Sequence, residues 1–414
     1  MNSIIFILIF ISIFGPKIGL IDLAVLGYCF IGIILMSKRK TIKYPKEYVV
    51  LCMIAAILLI YSIFIVLANQ SYNLYPVLRN FRAFLALGIL GLIFYNIRIP
   101  IIKVVNLIII GLLIHSSVIL MQMKFPVLKS YIGPIVNYPT EFFPLRAFGI
   151  IGDYDGSGSL LVIGAILSLI MFNYTGLTKY VACSFIFFAS VIFVSRMNML
   201  LMLIVMIVSV RKWLTRGKVN LIIKFIISSL LIGSGYIFVK LVYPIIYYTI
   251  PFINQYFISS NIRTTNYSLS YGSGGQAYLL DSMWKIPESV TGFIFGTGLL
   301  PDDSDIGYVK ILFMLGIIGS LLLFIFYGYI MKIIKKKLKI INKCYPKTYN
   351  SYIKNFAKGF RFIILLIFFI NFKNLFLFSR SFHELIIILF FTFLAEINQP
   401  NKFYDNKKTR IYPI

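Results

Sequence analysis

The segment 291-TGFIFGTGLLPDDSDIGYVKILFMLGIIGS-320 combines glycine turns, acidic residues and the beginning of an apolar helix. Its glycines permit backbone turns and close approaches that other residues resist. Asp302, Asp303 and Asp305 lie between those glycines, in a chain that has only 13 acidic residues. The segment therefore predicts a polar pocket that opens at the end of a membrane-spanning helix.

The composition of the whole chain is typical of a membrane protein. Of 414 residues, 60% are hydrophobic and 13% are charged, and the mean hydropathy is +0.91, far above what the surface of a soluble domain tolerates. A net charge of +27 would favour nucleic-acid binding in a soluble chain. Here the basic residues lie mainly in alternate short connections, as topology determinants do, so we expect no nucleic-acid partner.

The four cysteines show no metal-ligand spacing, so they predict neither a disulfide framework nor a zinc site. Three of them lie inside apolar runs, where a thiol has a packing role. We expect no resident metal and no cofactor.

A transmembrane helix needs about 20 apolar residues. By that criterion the sequence predicts an all-α, polytopic integral membrane protein with about twelve transmembrane helices. The predicted spans are 3–15, 18–36, 48–68, 83–97, 101–122, 157–174, 179–195, 197–210, 219–242, 307–331, 361–378 and 384–397. The first lacks the basic start and cleavage site of a signal peptide. The chain is expected to form a single membrane domain, residues 1–414.

The distribution of basic residues predicts the orientation of these spans. Clusters at 38–46, 211–218, 332–358 and 402–410 share one side, which the positive-inside rule makes cytoplasmic. Both termini are then cytoplasmic, and 332–360 is predicted to be a basic loop near anionic lipid. Two long loops, 123–156 and 243–306, are predicted to be extracytoplasmic.

Arginines on the external side are exceptions to that rule and therefore informative. There are six at or near the predicted outer face: Arg79, Arg82, Arg146, Arg196, Arg263 and Arg380. A guanidinium grips phosphate with two parallel hydrogen bonds and stays charged in a partly dry site, so a pyrophosphate-linked ligand is the natural candidate. The alternative is that each side chain extends to the lipid headgroups. Arg79 and Arg82, at the start of a predicted span, fit that alternative best.

Three of these arginines have surroundings that favour ligand binding. Arg146 lies in a loop shaped by proline and glycine and is followed by Asp153, so a ligand clamp and a simple charge pair are both open. Arg196 lies in a tight turn between two predicted spans. Arg263 lies in a polar stretch that no membrane anchor requires.

The acids of the opening segment supply candidates for proton transfer. Asp305 is predicted to be a general base or a ligand of a substrate hydroxyl, although Ser304 and Asp305 could instead simply cap the next helix. Asp303 is a candidate substrate ligand, and the same DDSD run could hold Mg²⁺ or Ca²⁺ against a phosphate. His383 is a secondary candidate for the base, whereas His115, in the middle of a span, is expected to be a hydrogen-bonded core residue.

Four local patterns resemble the O-antigen and capsular polysaccharide polymerase family, within the larger group that includes the O-antigen ligases. They are RAFGIIGDYDGSGS from Arg146, the turn Ser195-Arg196, the pair Arg263 and Trp284 in the long loop, and GTGLLPDDSDIGYVKILFMLGIIG. The last is the most specific. The resemblance covers about residues 79–319, and the remainder matches only in hydropathy.

The resemblance implies inverting glycosyl transfer on the outer face of the bacterial cytoplasmic (inner) membrane. A glycan would move from undecaprenyl pyrophosphate to a sugar hydroxyl of another lipid-linked repeat unit. The expected catalytic residues are Asp305, Arg263 and Arg196, and the expected substrate-binding residues are Arg146, Asp303, Asp153, Arg380 and His383. The lipid bilayer is an expected partner and a chain-length regulator protein a candidate one.

Two alternatives remain open. Ligases have a similar stretch but typically carry a histidine where this chain has Ser304-Asp305, which favours a polymerase and leaves the base to a carboxylate. A flippase or transporter of lipid-linked oligosaccharide would also have about twelve spans, but transporters bind near the midplane of the membrane, whereas the charge here is concentrated in predicted external loops.

Overall fold

A computed structural model describes residues 2–18, 21–37, 41–97, 99–136, 146–214, 284–301, 304–344 and 347–399. The chain divides into two compact units, one formed by 1–205 with 286–414 and the other by 206–285. The second is described only over 206–214 and 284–285. The contacts presented below belong to the first unit.

The described residues are almost entirely helical. The helices are α1 (Asn2–Phe14), α2 (Leu23–Ser37), α3 (Lys46–Ala68), α4 (Tyr75–Ile97), α5 (Ile101–Lys124), α6 (Val127–Ile135), α7 (Tyr154–Thr175), α8 (Lys179–Ile192), α9 (Arg196–Leu214), α10 (Val290–Phe295), α11 (Gly307–Cys344), α12 (Lys347–Ile370) and α13 (Phe382–Asn398). Two short strands, β1 (Lys17–Ile18) and β2 (Ile21–Asp22), pair antiparallel between α1 and α2.

Five helices in the described part of the chain are long and apolar enough to cross a membrane: α3, α4, α5, α7 and residues Gly307–Ile341 of α11. Large apolar side chains remain exposed along the outer surfaces of α2, α3, α4, α5 and α11. Phe30, Ile60 and Phe64 are 68%, 66% and 63% exposed. An apolar surface of that extent is stable against lipid and not against water.

Helices α7 and α13 form the centre of the bundle. Every residue of α13 from Phe382 to Ile397 is buried, which is the pattern of a helix surrounded by others. It packs against α4, α5, α1, α11 and α12. Near its C-terminus, Glu396 accepts a hydrogen bond of 2.7 Å from the backbone N–H of Ile101, which satisfies a donor at the start of α5.

Long-range contacts bring one set of helix ends together. The C-termini of α1 and α12 meet the N-termini of α2, α4 and α13 through side-chain bonds such as Ser381 Oγ to the Ile13 carbonyl, 2.5 Å. The connection between α5 and α7 reaches the same end, where Gln122 Nε2 donates to the Gly149 carbonyl at 3.0 Å. This end of the bundle is called the site end below.

Helix α11 is interrupted at Gly316, which has φ +63°. A Cβ there would lie 2.4 Å from the Ile294 carbonyl oxygen and 2.4 Å from the Gly296 nitrogen, because α10 and the turn after it press against the break. Thr297 N donates to the Phe313 carbonyl at 2.7 Å, and Tyr61 Oη donates to the Phe295 carbonyl at 3.0 Å. Non-helical backbone inside an apolar bundle requires such partners.

Several features differ from the sequence-based expectation. The predicted span 361–378 ends early, because α12 stops at Ile370 and an irregular connection follows it. Helix α4 begins at Tyr75 rather than near residue 83, so Arg79 and Arg82 lie within its first turns. The segment 332–360, predicted to be a basic loop, is instead helical up to Cys344 and again from Lys347. Lysine is a good helix former, and Ile333, Ile334 and Ile341 stay buried there, so the apolar face of α11 continues through the lysines.

Candidate functional site

The site end of the bundle contains a cavity of about 680 Å³. Its walls come from the β1–β2 segment and α2, the first turns of α4, the connection before α7, and the connection between α12 and α13. The charged residues that line it are Lys17, Asp22, Arg79, Arg82, Asp153 and Arg380, and apolar side chains such as Val25, Leu26, Leu78, Phe81 and Leu85 complete it. Its volume is within the usual range for ligand-binding pockets.

Arg82 is held at the cavity wall by two carboxylates. Its Nε lies 2.9 Å from Asp22 Oδ2, and its Nη2 lies 2.6 Å from Glu384 Oε1. Only 1% of the Glu384 side chain is exposed, against 16% of the Arg82 side chain. Charges this deeply buried are tolerated when they are paired at short distance, so the arrangement fixes the guanidinium in one orientation.

Arg380 lies in the connection between α12 and α13. It donates to Asp22 Oδ1 at 3.0 Å and to the carbonyl of Gly15. Burial lowers the pKa of the Arg380 guanidinium, and the Asp22 carboxylate opposes that shift. The following residue, Ser381, has φ +71°, a conformation that is costly outside glycine and is often found at functional sites.

The rest of this connection is supported by side chains that bond its backbone. Asn371 Oδ1 accepts from the N–H groups of Phe376 at 2.8 Å and Leu377 at 3.2 Å. Tyr327 Oη accepts from Phe378 N at 3.1 Å. The irregular segment that carries Arg380 is therefore fixed rather than left to solvent.

Arg79 differs from the other two arginines because its acceptors are neutral. It donates to Tyr75 Oη at 3.2 Å and to the carbonyl of Leu377. No carboxylate pairs with it among the residues that the structure describes. Its positive charge is therefore available to an anion in the cavity.

Asp153 caps the N-terminus of α7 and lines the cavity. Its oxygens accept from the backbone N–H of Asp155 at 3.1 Å and of Gly156 at 2.9 Å. Burial raises the pKa of the Asp153 carboxyl to about 6, with the Asp155 carboxylate acting in the same direction. The two backbone N–H groups and Lys373 oppose the increase.

Asp155 links three segments beside the cavity. Its Oδ1 lies 2.7 Å from Lys373 Nζ and accepts from Ser195 Oγ at 2.7 Å. Asn198 Nδ2 donates to the Asp155 carbonyl at 3.0 Å. The start of α7 is thereby tied to the α8–α9 turn and to the α12–α13 connection.

The structure brings together two of the predicted site residues, Arg380 and Asp153, in the cavity. Arg146 lies nearby in sequence, with its guanidinium carbon 5.8 Å from the centroid of the Tyr154 ring, and is not among the lining residues. Arg196 is the first residue of α9, and its side chain lies outside the described part. Arg263 and Asp303 lie outside the described residues.

The other predicted residues lie apart from the cavity lining. The Asp305 side chain is 80% exposed, with Oδ1 3.7 Å from Lys310 Nζ. Ser304 Oγ accepts at 3.3 Å from the backbone N–H of Ile306, a residue that precedes α11, so this bond does not reach the first turn of the helix. His383 is 1% exposed, and its Nε2 lies 3.1 Å from the Ala83 carbonyl oxygen. His115 is a fully buried core residue, as predicted, and accepts from Ile150 N at 3.2 Å.

Sequence reasoning missed the partners that organise the cavity. Asp22 and Glu384 were not candidates, and Arg79 and Arg82 were expected to extend toward lipid headgroups. A signal was present, because a carboxylate at the end of an apolar run needs a cation, and Arg79 and Arg82 share one helix face at i and i+3. The sequence alone does not show which segments come together in the fold.

Comparison of the chain with protein-family models, with curated proteins and with solved structures finds no match. The cavity and its charges are therefore the basis on which a function is proposed.

Proposed function

We propose that this protein is an oligosaccharide repeat-unit polymerase of the bacterial cytoplasmic membrane. It would transfer a glycan from undecaprenyl pyrophosphate to a sugar hydroxyl of another lipid-linked repeat unit. About twelve spans, with both termini in the cytoplasm, would place the site end on the outer face. This orientation is supported by basic residues such as Lys43, Lys179 and Lys337, which lie toward the opposite ends of the helices.

The observation that carries the proposal is the combination of cations and apolar walls in one cavity. Lys17, Arg79, Arg82 and Arg380 supply positive charge, which the carboxylates of Asp22, Asp153 and Glu384 offset only in part. Leu26, Leu78 and Phe81 line the same cavity and are 56%, 57% and 46% exposed at the bundle surface. A lipid diphosphate is an amphiphile of matching shape, because its charged head can meet the arginines while its chain stays in the bilayer.

Arg79 is the residue in this cavity most suited to contact the diphosphate. Its present acceptors, a phenol and a backbone carbonyl, are weaker than a phosphate oxygen. Arg82 and Arg380 would serve mainly as a fixed positive background, since carboxylates already bind them.

The test is synthesis of polymer by the purified protein in liposomes that contain a synthetic undecaprenyl-pyrophosphate-linked repeat unit. Wild type should produce a ladder of lengthening glycans. Arg79→Gln should raise the KM for the lipid-linked substrate about tenfold to a hundredfold, as expected for loss of one charge-assisted hydrogen bond. Lys310→Gln, which removes a cation outside the cavity, is the matched control and should leave KM unchanged. Absence of any ladder from well-folded wild type would reject the polymerase.

A second candidate, transport of a lipid-linked oligosaccharide, is favoured by one observation. The Arg82–Glu384 pair is buried between helices, and charge inside a helix bundle often marks a transport pathway. The same liposomes separate the polymerase from such a transporter and from a ligase. A flippase would move the substrate between leaflets without lengthening it, and a ligase would transfer it once to a terminal acceptor.

A further inference from the structure

Two carboxylates line the cavity in the described part of the chain, and their surroundings differ. Asp22 has a guanidinium at each oxygen, Arg380 at Oδ1 and Arg82 at Oδ2. Its Oδ1 also accepts from Ala24 N at 3.0 Å. Both oxygens of Asp22 therefore lie against a guanidinium, and its carboxylate serves to hold the two arginines.

Asp153 has only neutral hydrogen-bond donors at its oxygens, and it forms no salt bridge with any residue that the structure describes. Each of its oxygens accepts one backbone N–H. An ionised carboxylate has about four acceptor positions, so lone pairs remain on both oxygens. Gly156 also lines the cavity, and a Cβ at that position would lie 2.5 Å from Asp153 Oδ2. Glycine here lets the backbone orient the carboxylate without covering it.

We propose that Asp153 is the general base of the glycosyl transfer, an inference that rests on the function proposed above. The acceptor hydroxyl oxygen forms a bond to the anomeric carbon of the donor sugar while the bond from that carbon to the diphosphate oxygen breaks. The diphosphate leaves with the bonding electron pair and is stabilised by the arginines. The proton of the acceptor hydroxyl passes to the Asp153 carboxylate, so the charge and atoms balance without a metal or a cofactor.

The acid–base character of Asp153 suits this role. With a pKa of about 6, the carboxyl is mostly ionised at neutral pH and is a stronger base than an ordinary aspartate. Asp155 on α7 and Lys373 from the α12–α13 connection act on it from neighbouring elements. The other charged groups around the cavity are Lys17, Asp22, Arg79, Arg82 and Arg380.

Asp305, the base expected from the sequence, has a different environment. It is exposed to solvent, lies near Lys310 and is absent from the cavity lining. A proton acceptor must lie within hydrogen-bond reach of the group that it deprotonates. A substrate bound at the arginines would share its cavity with Asp153 and not with Asp305.

The experiment compares Asp153→Asn, Asp153→Ser and Asp305→Asn in the liposome polymerisation assay. Asparagine and serine both cap helices well but cannot accept the proton. Each Asp153 variant should lose about 10²–10⁴-fold in kcat while retaining its KM for the lipid-linked donor. Asp305→Asn tests the alternative base, and we expect it to lower kcat less than twofold. Glu288→Gln, which removes an exposed acid elsewhere, is the control and should be indistinguishable from wild type.

The pH profile of wild type is a second measurement, which does not depend on how a variant folds. The rate should fall tenfold per pH unit below about pH 6 and be constant above it, because protonation removes the base. The residual rate of Asp153→Asn should not show this fall below about pH 6. A wild-type profile that is flat between pH 5 and 8 would overturn the inference, as would a folded Asp153→Asn with near-normal kcat. In both cases an active wild type leaves the polymerase proposal standing, whereas inactivity of wild type at every pH rejects that proposal.

Discussion

The N-termini of α7 and α11 have similar sequences and different environments. Each begins with acids close to glycine, GDYDGSGS before α7 and DDSDIGY before α11. Asp153 at the first lies in a cavity with three arginines, while Asp305 at the second is 80% exposed beside one lysine. A local motif therefore does not decide whether an acid is an exposed surface residue or part of a site. The distant segments that pack around the acid determine whether it belongs to a site.

The largest expected effect concerns the Arg82–Glu384 ion pair, at the wall of the cavity that contains Asp153. Arg82→Met should lower the free energy of unfolding by about 3–5 kcal/mol, because Glu384 is left buried without its cation. The measurement is thermal or chaotrope-induced unfolding in detergent micelles.

The double variant Arg82→Met with Glu384→Leu is the control for that prediction. It should recover most of the loss, because an apolar pair of similar volume replaces the ion pair. An Arg82→Met protein as stable as wild type would show that the cavity wall does not depend on this pair.

The next effect concerns the anchoring of α11, which determines where Asp305 lies. Gly316→Ala should destabilise the protein by about 1–3 kcal/mol or more, since φ is +63° and a Cβ would contact backbone atoms of α10 and Gly296 at 2.4 Å. Gly328→Ala in the same helix has nothing within 4 Å of the added Cβ. It should be neutral or stabilising by up to about 1 kcal/mol. Equal effects of the two alanines on the unfolding midpoint would contradict the observed break in α11.

The smallest effect compares the two lysine–aspartate pairs directly. Lys373→Met removes the partner of Asp155 at 2.7 Å and should cost about 1 kcal/mol, a value reduced by the 40% exposure of the lysine. Lys310→Met removes the partner of Asp305 at 3.7 Å and should cost less than about 0.5 kcal/mol. Salt at about 1 M should abolish most of the Lys310→Met effect and reduce the Lys373→Met effect less, because screening weakens exposed pairs more than partly buried ones. A larger loss from Lys310→Met would reverse the ranking.

Most helices could be predicted from hydropathy because a long apolar run has few alternatives. The predicted span 101–122 corresponds to α5 (Ile101–Lys124), and 384–397 corresponds to α13 (Phe382–Asn398). Errors arose where charge interrupted an apolar run. Arg79 and Arg82 appeared to exclude the first turns of α4, and the lysines after residue 331 appeared to end α11. In the first case carboxylates and carbonyls satisfy the arginines, and in the second the apolar face continues beneath the lysines. The full count of twelve spans stays a prediction.

The candidate site was predicted only in part, for a physical reason. Asp153 and Arg380 were identified because each is an uncommon charge near glycine or at a span end. Asp22 and Glu384 were missed because their role depends on contacts 358 and 302 residues apart in the chain, with Arg380 and Arg82 respectively. Single-residue patterns carry no information about such pairing.

The most direct test of the account is photo-crosslinking with a labelled undecaprenyl diphosphate probe in liposomes. A photoreactive amino acid replaces Leu78, which lines the cavity and is 57% exposed, or Leu299, which precedes the α11 acids and is 47% exposed. We expect strong labelling at Leu78, competed by unlabelled undecaprenyl diphosphate and not by undecaprenol, with little labelling at Leu299. Preferential labelling at Leu299, or labelling at Leu78 that undecaprenol competes equally well, would contradict the claim that the arginine cavity binds the diphosphate lipid.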